Sequence, residues 1–200
     1  MSSSTMNPFA LGGWQAPGEQ ATSALTFRIL HPSGEAGEVK GPVDILNCVV
    51  VDPHDCRYLT IGTSIPTRGM TIDPVTSIQD TKGSIVARVE WPSSDSRYPF
   101  VQSDGDIKVP RQASNVFLQA TVNPTMRSIS IEGRHYTWVQ DAQKFKLYSG
   151  GNGFQAAELL VTVTTQYTGS LSLSVSGAAL EEGTLLLSIL ALVIVLPARR

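Results

Sequence analysis

The sequence predicts a mainly β fold: an antiparallel β-barrel-like domain whose apolar C-terminal segment is a core helix. Three observations lead there. Turn-forming clusters recur about every 8–12 residues, the spacing of an all-β chain. The runs between them alternate apolar and polar residues, as half-buried strands do. The last run, Leu185–Leu196, is apolar throughout except for Ser188, so it has no side that can face water.

Residues 1–23 are rich in Ser, Gly, Pro and Gln without periodicity, the composition of a disordered leader. They contain Asn7-Pro8-Phe9, a tripeptide that some endocytic adaptor domains take as a ligand. The domain then occupies residues 24–200. Leu25–Leu30 alternates as a strand, and His31 to Pro42 reads as a loop. Asn47–Val51 and Arg57–Ser64 form a hairpin about Asp52-Pro53-His54-Asp55. Met70–Asp73 and Val75–Gln79 are short runs separated by Pro74. In Ser84–Trp91, Ile85, Ala87, Val89 and Trp91 fall on one face. Asp104-Gly105-Asp106 turns into Ile107–Val109.

Ser128–Ile131 and Tyr136–Gln140 flank Glu132-Gly133-Arg134, a reversal centred on glycine. Phe145–Tyr148 and Ala157–Thr165 flank Ser149-Gly150-Gly151-Asn152-Gly153. In Thr168–Ser176, Leu171, Leu173 and Val175 alternate with polar residues. The terminal helix is expected over about 183–196. Glu181 and Glu182 precede it, Arg199 and Arg200 follow it, and Pro197 stops it, all in keeping with a helix dipole. Its ~12 apolar residues make roughly 18 Å of helix, short of the ~20 residues that cross a bilayer. It is therefore read as a core helix and not as a membrane span. A buried strand is the other structural option, because Val193-Ile194-Val195 is β-branched.

Bulk composition narrows the function classes. Lys and Arg number 15 against 17 Asp and Glu, a net charge of -2, so there is no basic excess to displace phosphate counterions, and nucleic acid is not an expected partner. Two cysteines, Cys48 and Cys56, flank the first hairpin turn. If Val51 faces Cys56, Cys48 lies about three pairs further on, out of disulfide reach. With two thiols and no basic-apolar leader signal, the expected compartment is the cytoplasm.

No arrangement of nucleophile, base and orienting group stands out, so the reading is of a protein that is not an enzyme and takes no cofactor. Gly150-Gly151-Asn152-Gly153 lacks the following helix and Lys-Ser/Thr pair of a phosphate loop. Cys48, His54 and Cys56 match no common zinc spacing, and no metal is expected.

The order of Ser84-Ile-Val-Ala-Arg-Val-Glu-Trp91, then Glu132-Gly-Arg-His-Tyr-Thr-Trp138, then Lys146-Leu-Tyr148, and last an apolar helix followed by arginines, resembles a fungal family. That family is known only as a domain of unknown function and is related to tubby-like and LURP-one-related domains. The resemblance covers residues 45–200. It implies a closed antiparallel β-barrel of tubby-like type around a hydrophobic C-terminal α-helix. It marks Trp91, Tyr136 and Trp138 most strongly, and aromatics at those positions suit a barrel core. Ala113–Thr125 departs from the family pattern.

Related tubby domains bind phosphoinositide headgroups through basic residues. By that analogy Arg127, Arg134, Lys144 and Lys146 are the candidate ligand residues, with a phosphoinositide or other anionic lipid headgroup as partner and a position peripheral to the membrane. The leading expectation is a binding or scaffold domain for a lipid or protein. The alternatives are a viral jelly-roll coat protein and a tail-anchored membrane protein.

Overall fold

The computed structural model describes residues 24–32, 43–64, 73–92, 98–141, 144–150, 157–166 and 169–197. The proposed leader with Asn7-Pro8-Phe9, the Met70–Asp73 run except Asp73, and the terminal arginines lie outside them.

Thirteen strands form one antiparallel sheet. They are β1 (Leu25–Leu30), β2 (Cys48–Val51), β3 (Arg57–Ser64), β4 (Val75–Gln79), β5 (Ile85–Glu90), β6 (Phe100–Asp104), β7 (Lys108–Ala113), β8 (Gln119–Ala120), β9 (Met126–Ile131), β10 (Arg134–Asp141), β11 (Lys144–Ser149), β12 (Leu159–Thr165) and β13 (Leu171–Val175). The described residues also form three helices: α1 (Ser114–Phe117), α2 (Gly177–Glu181) and α3 (Thr184–Val195).

Among the described strands, each pairs with its neighbours in sequence except at the β7–β8 step, and β1–β13 is the one ladder between strands not consecutive in sequence. The β1–β13 ladder, Phe27 opposite Leu173 and Ile29 opposite Leu171, joins the N-terminal half of the sheet to the C-terminal half. The turns follow local chemistry. Glu132 and Gly133 both have positive φ, 50° and 77°, which is the two-residue hairpin turn whose twist matches its flanking strands. Asp52 Oδ1 accepts from the backbone N–H groups of His54 and Cys56 at 2.9 and 2.8 Å. A bulge there pairs Val51 with Arg57, where Cys56 was expected.

The sheet is rolled around α3. That helix touches both β5 and β12, which are separated in the sheet by β4, β3, β2, β1 and β13. Six steps of ~4.8 Å would set them roughly 29 Å apart in a flat sheet, well beyond the ~10–12 Å diameter of a helix. The sheet therefore curls until opposite strands meet the same helix. From Thr184 to Val193 every residue of α3 is buried, and the inward residues of each strand, such as Ile29, Val50, Ile61, Ile78, Val89 and Leu173, share its core.

The ladder is not closed. β7 and β8 are the two edges of the sheet, no pairing joins them among the described residues, and α1 is the segment between them. The closed barrel of the sequence reading is thus met as a rolled but open sheet. Two segments to which the sequence assigned no element, Phe100–Asp104 and Ser114–Ala120, supply β6, α1 and β8.

The N-terminal end of α3 is held tightly. Gly183 has φ +68°, and a Cβ there would stand 2.8 Å from the Cβ of Asp106. A Cβ at Gly105 would meet Leu186 Cδ2 at 2.7 Å. The β6–β7 turn thus packs directly on the start of the helix. The hydroxyls of α3 are satisfied locally: Thr184 Oγ1 donates to the Ala179 carbonyl of α2 at 2.8 Å and Ser188 Oγ to the Thr184 carbonyl at 2.9 Å.

Because Leu190 is fully buried in this core, Leu190→Ala is expected to lower the unfolding free energy by about 2–5 kcal/mol, measured by urea denaturation with the slope unchanged.

Candidate ligand pocket at the C-terminal end of the core helix

Direct strand pairing fixes which residues share a face. On β10, Tyr136 and Trp138 point inward and are buried. Arg127 is the cross-strand partner of Trp138, and so projects to the same inner side, in phase with Ile129 and Ile131. On β11 Phe145, Leu147 and Tyr148 are buried; Leu147 is paired with the inward Trp138 and Phe145 with Gln140, so the alternate residues Lys144 and Lys146 face outward.

The four predicted basic residues therefore occupy three places. Lys144 and Lys146 share the outer face of β11, with Asp141 opposite Lys144. Arg127 lies inside the rolled sheet at the same end. Arg134 sits at the other end of β10, seven residues or roughly 23 Å from Asp141. There it faces Glu182 at 4.0 Å, and the Tyr136 hydroxyl donates to Glu182 Oε2 at 3.4 Å. Burial lifts the Tyr136 hydroxyl above the ordinary phenol range, a hydrogen bond from Arg134 opposes it, and the Glu182 charge adds to it. That cluster ties β10 to the start of α3.

A pocket of about 930 Å³ opens at the opposite end of α3, within the ~300–1,000 Å³ common for small-ligand sites. Ile194, Val195 and Pro197 form its helical wall, α1 contributes Ser114 and Asn115, and the strands contribute Trp91, Trp138, Gln140 and Arg127. Among the described residues no Asp or Glu lines it, and Arg127 is the charged side chain that does. Arg127 Nη1 donates to the carbonyls of Pro124 and Met126 at 3.4 and 3.3 Å, and no carboxylate lies within ion-pair distance of it among the described residues.

The two indoles of the pocket differ in one respect. Trp91 Nε1 donates to Thr76 Oγ1 at 2.8 Å; Thr76 lies 2.8 Å from Thr63 Oγ1, which donates to the Leu46 carbonyl at 2.9 Å. That chain satisfies the buried Thr76. Trp138 stacks on Phe145 with ring centroids 5.8 Å apart, but its buried Nε1 has no hydrogen-bond partner among the described residues. A buried donor left unpaired costs about 1–3 kcal/mol.

A second pocket, of about 460 Å³, lies between β7 and the β9–β10 turn. Its charges, Asp104, Lys108 and Glu132, are of mixed sign, and every buried polar side chain lining it is satisfied. Ser103, for one, donates to the carbonyls of Ile107 and Val86 at 2.9 and 3.2 Å.

Sequence reasoning named Trp91, Trp138 and Arg127 without placing them together, and missed Tyr98, α1 and the end of α3. A signal for Arg127 was present: it keeps the two-residue phase of Ile129 and Ile131. The strand was expected to start at Ser128, which left Arg127 outside the alternation.

No family model matches the chain, and no curated protein matches it. Among solved structures it is similar to the X-ray structure of an Arabidopsis thaliana protein, at 12% identity and a TM-score of 0.45, over 88% of this chain and 92% of that one.

The cysteines are separate from this pocket. Cys48 is buried at the start of β2 and Cys56 is exposed beyond the turn. Burial, helped by Asp44, pushes the Cys48 thiol up to about 12. With a disulfide-exchange reagent at pH ~8, Cys56 is expected to react at once and Cys48 only on unfolding, giving one fast thiol per chain that Cys56→Ser removes.

Proposed function

We propose that the chain is a non-catalytic binding domain, a barrel of tubby-like type plugged by α3, that docks on an anionic lipid surface at the C-terminal end of that helix. The observation that carries this reading is the composition of that end. Three exposed hydrophobic residues stand around the pocket: Tyr98 at its lining, Val116 on α1, and Val122 between the lining residues Ala120 and Pro124. Val122 is fully exposed. Exposed apolar knobs beside cations suit a lipid interface, where the knobs enter the acyl boundary and the cations meet headgroups.

Arg127 is at this end, and Lys144 begins β11 there, whereas Arg134 is at the far end and engaged with Glu182. The proposed lipid contact therefore uses part of the basic set named from sequence, without Arg134. The single rolled sheet around a helix supports this reading over a two-sheet jelly-roll shell. No helix of the described residues is long and apolar enough to cross a membrane, and the burial of α3 within the sheet speaks against its use as a tail anchor.

The test is flotation with phosphatidylcholine vesicles with and without phosphoinositide. Binding is expected only to the anionic vesicles, and the paired variant Val116→Asp/Val122→Asp is expected to weaken it ~tenfold or more, since each buried methylene contributes about 0.8 kcal/mol. Equal recovery with both vesicle types, or indifference to the paired variant, would leave a protein-binding module in its place.

A further inference from the structure

Resting on that reading of the α3 end, we infer that the pocket itself is a binding site for one amphiphilic oxyanion, its charged head on Arg127 and Trp138 Nε1 and its apolar body along Ile194, Val195 and the face of Trp91. Three independent features converge on this chemistry. The indole N–H of Trp138 is a donor with no acceptor, on a side chain only 1% exposed. Trp138 lines the pocket, and bulk water does not reach this nitrogen.

Arg127 is the direct cross-strand neighbour of that indole, which places the two Cβ atoms about 4.5–5.5 Å apart. Its guanidinium has five N–H donors, of which one nitrogen is committed to two long carbonyl contacts. The remaining donors, and a charge with no carboxylate beside it among the described residues, are available to an oxyanion. Charge-assisted bonds of that kind are stronger than neutral ones.

Among the described residues the rest of the lining carries no negative charge to repel such a head. Its helical wall, Ile194, Val195 and Pro197, is apolar and lies at the tapering end of α3, where the burial of the helix gives way to partial exposure. A pocket of about 930 Å³ is larger than a bare phosphate or carboxylate needs, so the ligand has to bring an apolar body as well as a head. The phosphate or carboxylate head is common to a free amphiphile and to a membrane lipid.

The site reports on itself, because Trp91 and Trp138 both line it. In a Trp14→Phe background the chain is titrated with dodecyl phosphate below its micelle concentration, with 1-dodecanol and inorganic phosphate as the isolated halves of the ligand. Dodecyl phosphate is expected to shift the tryptophan emission saturably, at an affinity about tenfold or more above that of dodecanol, with inorganic phosphate silent at the same concentrations. Arg127→Gln is expected to erase the preference for dodecyl phosphate over dodecanol, and Trp138→Phe to weaken dodecyl phosphate about tenfold, with cooperative unfolding retained in both. Equal affinity for dodecanol and dodecyl phosphate, or an Arg127→Gln chain that keeps the preference, would overturn the inference.

A parallel arm uses vesicles containing phosphatidic acid. Flotation with no response from the pocket tryptophans would overturn the pocket inference while leaving surface docking in place. A response to dodecyl phosphate without flotation would support the pocket, assign it to a free amphiphile, and remove the surface reading.

Discussion

A helix without a polar face has to be enclosed on every side, and α3 is such a helix. Water is excluded from each residue between Thr184 and Val193, so the strands are required to provide an apolar surface around its whole circumference. A flat sheet of thirteen strands covers one side only. Curling it until β5 and β12 touch the same helix removes the problem, and the β1–β13 pairing that ties the two ends of the chain together makes the curl continuous. The tight approach of the β6–β7 turn to Gly183 and Leu186 sets how far the helix is inserted. At that contact glycine is needed on both counts, its positive φ and the space a Cβ would take.

The same requirement explains where the structure is least finished. Rolling a sheet around one helix brings its edges β7 and β8 together without pairing them, and the chain bridges the interval with α1. The pocket forms at the end where α1 and the last residues of α3 meet the strands. It combines an unpaired indole N–H with an inward arginine, two features that a core assembled for stability alone would not retain. The opposite end of α3 is the contrast. There Arg134, Tyr136 and Glu182 answer one another, and the arrangement reads as fastening.

Much of the fold was legible in the sequence, and the reasons differ by element. The β1, β5 and β13 runs alternate cleanly because one face meets α3 and the other water. The terminal helix was legible because uniform apolarity and short length together demand an enclosed helix. β6 was not, since its inward Ser103 breaks the pattern and is tolerated only through hydrogen bonds to the carbonyls of Ile107 and Val86. α1 and β8 are too short to carry a period, and they lie in the Ala113–Thr125 stretch that departs from the family pattern. The site was half legible. Trp91, Trp138 and Arg127 were named, but whether a cation lies inside or outside a sheet turns on a one-residue register, and the Arg127–Trp138 pairing supplied that.

The account depends on α3 as the object around which the sheet folds, and shortening the chain tests this directly. A chain ended at Gly183 would be followed by circular dichroism and urea unfolding beside the full-length protein. The account predicts loss of cooperative unfolding, exposure of the apolar inner face to a hydrophobic dye, and aggregation. A soluble β-rich product that unfolds cooperatively near the full-length midpoint would contradict it, because the sheet would then have a core of its own.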